Sequence, residues 1–311
     1  MALVNNILTN KNIHRFSHNA MNTIFEIIIE LKDRDYAEQA ANAAFYEIDK
    51  LEEELSRFQP NSEISKINSL KREEKLNLSL DVFECLQIAK NIYDITNGLF
   101  DITSGKIIDY WKKNNDNIDL RINSKSIGMH KVNLNKDNFS LTLLSDNLNF
   151  DLGGLGKGFA IDKVSELLVD WEIENSIIHS GSTVKAIGNL TDYEGWPITI
   201  SNPLNISQSI AEIMLVNNSI SGSGKQKGTH IINPRTFQPE ITRSGAWALT
   251  ESAAVSDAMS TTFMIMSYME IAELTNNHNY ISGLIIKDNI DLLTTDNIFI
   301  TENFNKEYLL I

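Results

Sequence analysis

Asp151-Leu152-Gly153-Gly154-Leu155-Gly156-Lys157-Gly158-Phe159-Ala160-Ile161-Asp162 is the stretch from which the rest of the chain is read. It stands where a short alternating run (Leu148, Phe150) ends and a helix-period pattern (Phe159, Val164, Leu167, Leu168, Trp171) begins. A glycine-rich turn from strand to helix presents unpaired backbone N–H groups and the positive end of a helix dipole, a combination that favours a phosphate. The glycines fall as G-G-x-G-x-G, not as the G-x-G-x-x-G of a dinucleotide-binding turn, and Gly158 rather than Ser or Thr follows Lys157, which excludes a Walker loop. Two readings stay open: a phosphate-binding turn, and a turn that only packs a helix tightly on a sheet.

Outward from the loop, the pattern alternates strands with long helices. Ile24 to Leu31 is a β-branched, mostly apolar run that reads as a strand. Asp33 to Leu55 has the clearest helical period, with Ala37, Ala41, Ala44, Ile48, Leu51 and Leu55 on one face and the Glu52-Glu53-Glu54 run on the solvent side. Ser79 to Thr96 is a second helix, with Phe83, Leu86, Ala89 and Tyr93 inward and Gly98 just past its end. Val132 to Phe150 reads as a β-hairpin turning at Ser145-Asp146-Asn147. Strands follow around Ser176–Ile178, Trp196–Ile200 and Ala211–Val216, then one long helix over Glu251–Leu274 and strands at Ile281–Ile286 and Ile298–Thr301. These passes of strands and helices predict an α+β fold of two fused halves, a single domain over 17–311 behind an N-terminal tail of residues 1–16.

The 311 residues are 42% hydrophobic and 22% charged, ordinary for a globular chain of this length. A net charge of −14 argues against nucleic acid, whose phosphates require a basic footprint, and makes any phosphate site a local exception that needs a metal ion or helix N-termini. The single Cys85 excludes an internal disulfide and sits within a helical pattern as a buried apolar residue. The first eighteen residues are polar with no continuous apolar run, and no later segment approaches the ~18 apolar residues of a membrane span, so the sequence reads as soluble. Two locations are compatible with it: the cytoplasm, or export and membrane anchoring by a leader that this sequence does not include.

Four further segments carry chemistry. In Ser256-Asp257-Ala258-Met259-Ser260-Thr261, Asp257 and Thr261 are four apart on one helix face, where a carboxylate and a hydroxyl reach one hard cation; magnesium accepts few protein ligands beside substrate phosphates. The alternative is an ordinary first-turn acid and a half-buried threonine. In Thr229 to Thr236, His230 precedes an apolar pair and a proline turn, as a general base, a phosphate contact or a structural histidine. Gly98-Leu99-Phe100-Asp101-Ile102-Thr103 suits a loop closing over a ligand or a plain turn. Ser56-Arg57-Phe58 places an aromatic at a helix exit, to stack on a planar ring or to pack, and Ser62 caps a short helix after it.

Taken in order, these blocks resemble the FAD:protein FMN transferase (ApbE) family from roughly Ser17 to Thr301. Met21-Asn22-Thr23 is similar to that family's Met-Gly-Thr. Ser56-Arg57-Phe58 with Ser62-Glu63-Ile64 resembles its Ser-Thr-Tyr segment and the Ser-Glu-Ile after it. Thr96 to Thr103 resembles its Thr-x-Gly-x-Phe-Asp-x-Thr block, and Asp151 to Asp162 follows its glycine signature almost letter for letter. His230 to Thr236 resembles its His-Ile-Ile-Asp-Pro-Arg-Thr, with Asn233 for the aspartate, and Ser256 to Thr261 its Ala-Asp-x-x-Ser-Thr.

The resemblance implies an ApbE-like fold of two similar β-α-β halves with FAD in the cleft between them, and a Mg2+ ion on the diphosphate. It implies transfer of FMN to a threonine or serine of an acceptor protein, with release of AMP. The metal ligands it implies are Asp257, Thr261 and the backbone carbonyl of Gly154. Nucleotide contacts fall on Asp151, Lys157 and Ile232, the flavin and adenosine pockets on Met21, Phe58, Leu99, Phe100 and Asp101, and His230 lies beside the diphosphate as candidate base, a metal-held aspartate being the alternative. The acceptor is expected to carry its hydroxyl in a short Asp-containing motif, often in a membrane redox subunit. Two departures bear on acceptor recognition: Gly181-Ser182-Thr183 stands where the family has Gly-Gly-Asp/Glu, and a short basic loop, Ser221 to Gly228, precedes the histidine. FAD hydrolysis to FMN and AMP, and FAD binding without chemistry, are the competing expectations.

Overall fold

The computed structural model describes residues 2–3, 11–112, 127–146, 148–225, 231–287 and 297–310. They divide into two compact units: residues 1–49, 157–226 and 242–311 form the first, and 50–156 and 227–241 the second. Within the glycine stretch the division falls between Gly156 and Lys157.

The first unit begins with β1 (Ala2–Leu3), β2 (Ile13–Ala20) and β3 (Thr23–Glu30), then α1 (Arg34–Leu55), which runs on into the second. Every apolar position that the helical period assigned to the inner face of α1 is buried. The second unit continues with α2 (Glu63–Ser69), β4 (Lys75–Asn77), α3 (Leu80–Ile95), α4 (Gly105–Lys112), β5 (Val132–Asn135) and β6 (Ser140–Leu143). Ser62 caps α2 by accepting from the Ser65 amide, and Ser79 caps α3 by accepting from that of Val82. On α3, Phe83, Leu86 and Ala89 are buried as expected, while Tyr93 is half-buried with its hydroxyl 2.7 Å from His130 Nδ1.

From the glycine stretch the chain forms α5 (Gly156–Asp170), β7 (Ser176–Ser180), β8 (Thr183–Ile187), β9 (Trp196–Asn202), β10 (Asn205–Leu215) and β11 (Ser219–Gly224). After the short pair β12 (Ile232–Asn233) and β13 (Gln238–Pro239) in the second unit, β14 (Gly245–Thr250), α6 (Ala253–Phe263), α7 (Tyr268–Asn277), β15 (Ser282–Ile286) and β16 (Ile298–Ile300) complete the first. Eight strands pair antiparallel in the order β16-β15-β14-β11-β8-β7-β3-β2. One face of this sheet packs on β9 and β10 through a core that includes Ile28, Ile177, Trp196, Ile220 and Trp247. The other carries α6 over β14, β11 and β8. Covered on both sides, β15 is buried at all five positions, which is why its Leu284, Ile285 and Ile286 follow one another without alternating. The architecture is α+β, as the sequence predicts.

Three expectations are corrected. The hairpin β5–β6 turns at residues 136–139, where the Asn135 side chain accepts from the Asp137 amide and that of Asn138 from the Ser140 hydroxyl; Asp146 instead accepts from the Arg72 amide, and Asn147 lies outside the described residues. The single helix over Glu251–Leu274 is two helices. α6 ends at Phe263, whose carbonyl accepts from the Arg243 guanidinium, and α7 starts in a capping box between Ser267 and Glu270. The shortened loop from Ser221 is not a loop at its start: Ser219–Gly224 is a central strand, and Gln226 to His230 lies outside the described residues. Among the described residues no helix is long and apolar enough to cross a membrane.

Candidate functional site

In the first unit, the turn between β14 and α6 is clamped by Asp162 of α5. The Asp162 carboxylate accepts from the backbone amides of Ala253 (2.8 Å) and Ala254 (2.9 Å), from the Ser252 hydroxyl (2.7 Å) and from Lys185 Nζ (2.6 Å). A side chain from one helix thereby satisfies orphan amides at the start of another. Gly158, one turn earlier on α5, is the point of closest approach: a Cβ there would stand 2.7 Å from the Ala253 carbonyl carbon and 2.8 Å from Ala254 Cα, and closer still to the Ala253 carbonyl oxygen. The two contacts fix α5 against the start of α6, and that fixes Lys157 relative to Asp257.

Asp257 is 5% exposed. Its Oδ2 lies 3.8 Å from Lys157 Nζ and 3.4 Å from the Gly158 amide, and its Oδ1 accepts from Ser221 at 3.4 Å. Thr261, one turn on, lies 3.1 Å from the Ser223 hydroxyl. Its Oγ1 also approaches the Asp257 backbone carbonyl at 3.4 Å. The helix face expected from the i, i+4 spacing therefore exists, half-buried at Thr261, with a cationic side chain beside it. Its donors are one carboxylate and hydroxyl oxygens, and among the described residues no three His, Cys, Asp or Glu side chains gather as for a transition-metal centre. Hard oxygen donors with a single acid fit an ion that keeps water and phosphate ligands.

Asp162→Asn is expected to lower stability by about 2 kcal/mol, because the amide group turns a donor toward groups that are all donors. Chemical unfolding at neutral pH measures it; a change under about 0.5 kcal/mol would show that the clamp is dispensable.

The second unit holds two other groups. Arg57, 8% exposed in its side chain, forks onto Asp109 (2.5 and 2.9 Å) and lies 3.0 Å from Asp151 Oδ2 through Nε. Asp151 Oδ1 in turn accepts from the Gly153 amide at 2.7 Å, so the acid that begins the glycine stretch is held from both sides. The Phe58 ring covers the Arg57 guanidinium at 4.7 Å and is itself 77% exposed, with a face available for stacking. Separately, Leu99, Phe100 and Asp101 follow the C-terminus of α3, where Gly98 takes φ +78° and its amide donates to the Tyr93 carbonyl. Leu99 and Phe100 are buried, and Asp101 Oδ1 accepts from the Thr103 amide (2.9 Å) and hydroxyl (2.7 Å).

Burial pushes the Asp101 carboxyl above its ordinary range, against the hydrogen bonds from Thr103 and the charge of His130. The folded state then holds this proton more tightly than the unfolded chain. Stability from this group is fully present below the unfolded value of about 3.9 and is lost as pH rises through the raised folded value. Asp101→Asn removes that dependence, so the melting temperature of the unmodified protein should fall relative to the variant as pH climbs from about 4. A gap that does not change with pH would contradict it.

Residues 21–285 match the model of the ApbE family. The chain belongs to the ApbE family. Among curated ApbE relatives, the FAD:protein FMN transferase of Haemophilus influenzae is 24% identical over 276 residues, covering 82% of this chain and 75% of that protein. The one from Buchnera aphidicola subsp. Schizaphis graminum is 29% identical over 265 residues, covering 78% and 77%. Two solved structures share the fold. The flavin transferase ApbE of Vibrio cholerae superposes with a TM-score of 0.81 at 21% identity over 96% of this chain and 99% of that one. The Pseudomonas stutzeri flavinyl transferase ApbE, apo form, gives 0.83 at 16% over 95% and 96%. The protein is thus an enzyme of the transferase class.

Against the ApbE pattern, the expected residues distribute as follows. In the first unit Lys157 stands 3.8 Å from the Asp257 carboxylate, and Thr261 shares with Asp257 the α6 face toward β11. Met21 also lies there, at the tip of the β2–β3 hairpin with φ 49°, beside Asn22 at φ 58°. These are the left-handed positions of a two-residue turn, and asparagine tolerates the one where the family carries glycine. Asp151 and Phe58 meet through Arg57 in the second unit, where Gly154 and the buried Ile232 also lie. His230 lies outside the described residues. Four residues with structural roles here carried no assignment from sequence: Arg57 and Asp162, although both stand inside recognised blocks, and Ser221 and Ser223. The period-two serines of Ser219-Ile220-Ser221-Gly222-Ser223 were the available signal.

Proposed function

We propose that this ApbE-family transferase moves the FMN moiety of FAD onto a threonine or serine hydroxyl of an acceptor protein, releasing AMP in a Mg2+-dependent reaction. The observation that carries it is Lys157 3.8 Å from the Asp257 carboxylate, with Thr261 one turn on along the same α6 face toward β11, inside the two signature blocks. Asp257 and Thr261 are the side chains that hold the ion. Bound there, Mg2+ supplies charge neutralisation at the diphosphate oxygens.

The chain's own residues do the rest. Lys157 places a compact positive charge beside the site and pairs with phosphate oxygen in the loaded enzyme. The N-terminus of α5 adds its dipole. The acceptor oxygen bonds to the FMN-side phosphorus, the anhydride P–O bond breaks, and AMP leaves with the bonding pair. The hydroxyl proton goes to His230. Catalysis of this kind is positioning and electrostatics rather than covalent chemistry by the protein. Phe58, over Arg57, offers an exposed aromatic face for a planar ring.

Purified protein is incubated with FAD, with Mg2+ or with EDTA, and with or without a protein bearing a threonine in an Asp-containing segment. AMP and FMN are followed by chromatography. The expected result is AMP matched by protein-bound flavin, only with Mg2+ and acceptor. AMP with free FMN in equal amount would replace transfer by hydrolysis, and undiminished turnover in EDTA would remove the metal.

A further inference from the structure

Strand β11 presents Ser219, Ser221 and Ser223 to α6, and each bonds a residue of that helix: Ser256 at 2.9 Å, Asp257 at 3.4 Å, and Ser260 and Thr261 at 3.0 and 3.1 Å. Both side chains assigned to Mg2+ are therefore held from below by a β11 hydroxyl. One of these contacts extends a step further. Thr183 of β8 stands directly opposite Ser221 in the ladder, and their hydroxyl oxygens are 2.9 Å apart. Both residues are fully buried, so neither hydroxyl has water as an alternative partner.

The proton count along this row fixes its direction. Asp257 Oδ1 can only accept as a carboxylate, so the Ser221 proton points to it. Ser221 Oγ is then the acceptor for the Thr183 proton. We infer that Thr183, acting through Ser221, is a positioning residue that sets the Asp257 carboxylate for metal binding. This rests on the assignment of Asp257 as metal ligand. The chemistry is consistent: a neutral donor row steadies a carboxylate without adding a second negative charge to a buried site, leaving Oδ2 toward Lys157.

The test is calorimetric binding of Mg2+ to the FAD-loaded protein, with kcat and KM for FAD measured on the same preparations. Ser221→Ala is expected to weaken Mg2+ binding about tenfold and Thr183→Val about three- to fivefold, the more remote bond having the smaller effect. Thr183→Ser, which keeps the hydroxyl, restores binding to within about twofold. KM for FAD stays unchanged. Thermal unfolding of the metal-free single and double variants checks the row itself: Thr183→Val and Ser221→Ala should be less than additive, because both cut one chain. Equal binding by the valine and serine variants, or additivity with unchanged Mg2+ affinity, overturns the inference. Asp257→Ala separates the two levels. Full Mg2+ binding by that variant removes the metal assignment and this inference with it; loss of binding there, with Thr183→Val unaffected, overturns the inference alone.

Discussion

Asp257→Ala should lower FMN transfer by at least about a thousandfold while the protein stays folded. The carboxylate is the one acid among the described groups on the α6 face, with Lys157 at 3.8 Å and Ser221 and the Gly158 amide at 3.4 Å, and the spacing to Thr261 leaves no substitute for its charge. Its removal strands a serine hydroxyl and an amide, which costs about 1–3 kcal/mol, but also relieves the desolvation of a buried carboxylate. The net change in stability is therefore small beside the loss of rate. Asp257→Asn sharpens the point, since it keeps the shape and the acceptor oxygen for Ser221 but not the charge. Initial rates of AMP release at saturating FAD, beside circular dichroism of each variant, decide it. Mg2+-dependent turnover within tenfold of the unmodified enzyme would remove Asp257 from the chemistry.

Gly158→Ala should destabilise the first unit by about 3 kcal/mol or more. Two effects oppose each other at this position. Alanine is a better helix former than glycine by roughly 1 kcal/mol, and Gly158 lies within α5 at an ordinary helical φ. The added Cβ, however, meets the backbone of Ala253 and Ala254 at 2.7–2.8 Å, and that backbone is pinned by Asp162 and cannot give way as a side-chain tip would. The clash outweighs the gain in helix propensity, so the substitution destabilises and the melting temperature drops by roughly 5–10 °C. The helices move apart where Lys157 faces Asp257, so transfer falls as well. A melting temperature at or above that of the unmodified protein would mean that the close approach is not needed.

Much of the scaffold was legible because burial on one or both faces leaves a period in the sequence. Ala37 to Leu55 gave α1 through steps of three and four, and the apolar run Ile24–Leu31 gave β3. What failed has specific causes. Strand β11 carries serine and glycine where β7 and β8 carry isoleucine and valine, because its inner face meets the hydroxyls of α6 and Gly222 makes room for the Trp247 ring. The break between α6 and α7 was hidden because Met264-Ile265-Met266 continues the apolar pattern across it, although the Ser267–Glu270 capping box marks it. Two turn-like clusters compete after Val132, and the one at residues 136–139 closes the hairpin. The site divides in the same way. The i, i+4 pair Asp257 and Thr261 could be read locally, whereas Asp162 acts on Ser252, Ala253 and Ala254, some ninety residues away, and only the fold brings them together.

The most direct test is mass spectrometry of a threonine-bearing acceptor after incubation with the enzyme, FAD and Mg2+, with AMP quantified in the same tube. The predicted result is an acceptor heavier by one FMN less water, in one-to-one ratio with AMP, and absent with Asp257→Ala. AMP formed with no mass gain on the acceptor, or labelling that survives Asp257→Ala, would contradict it.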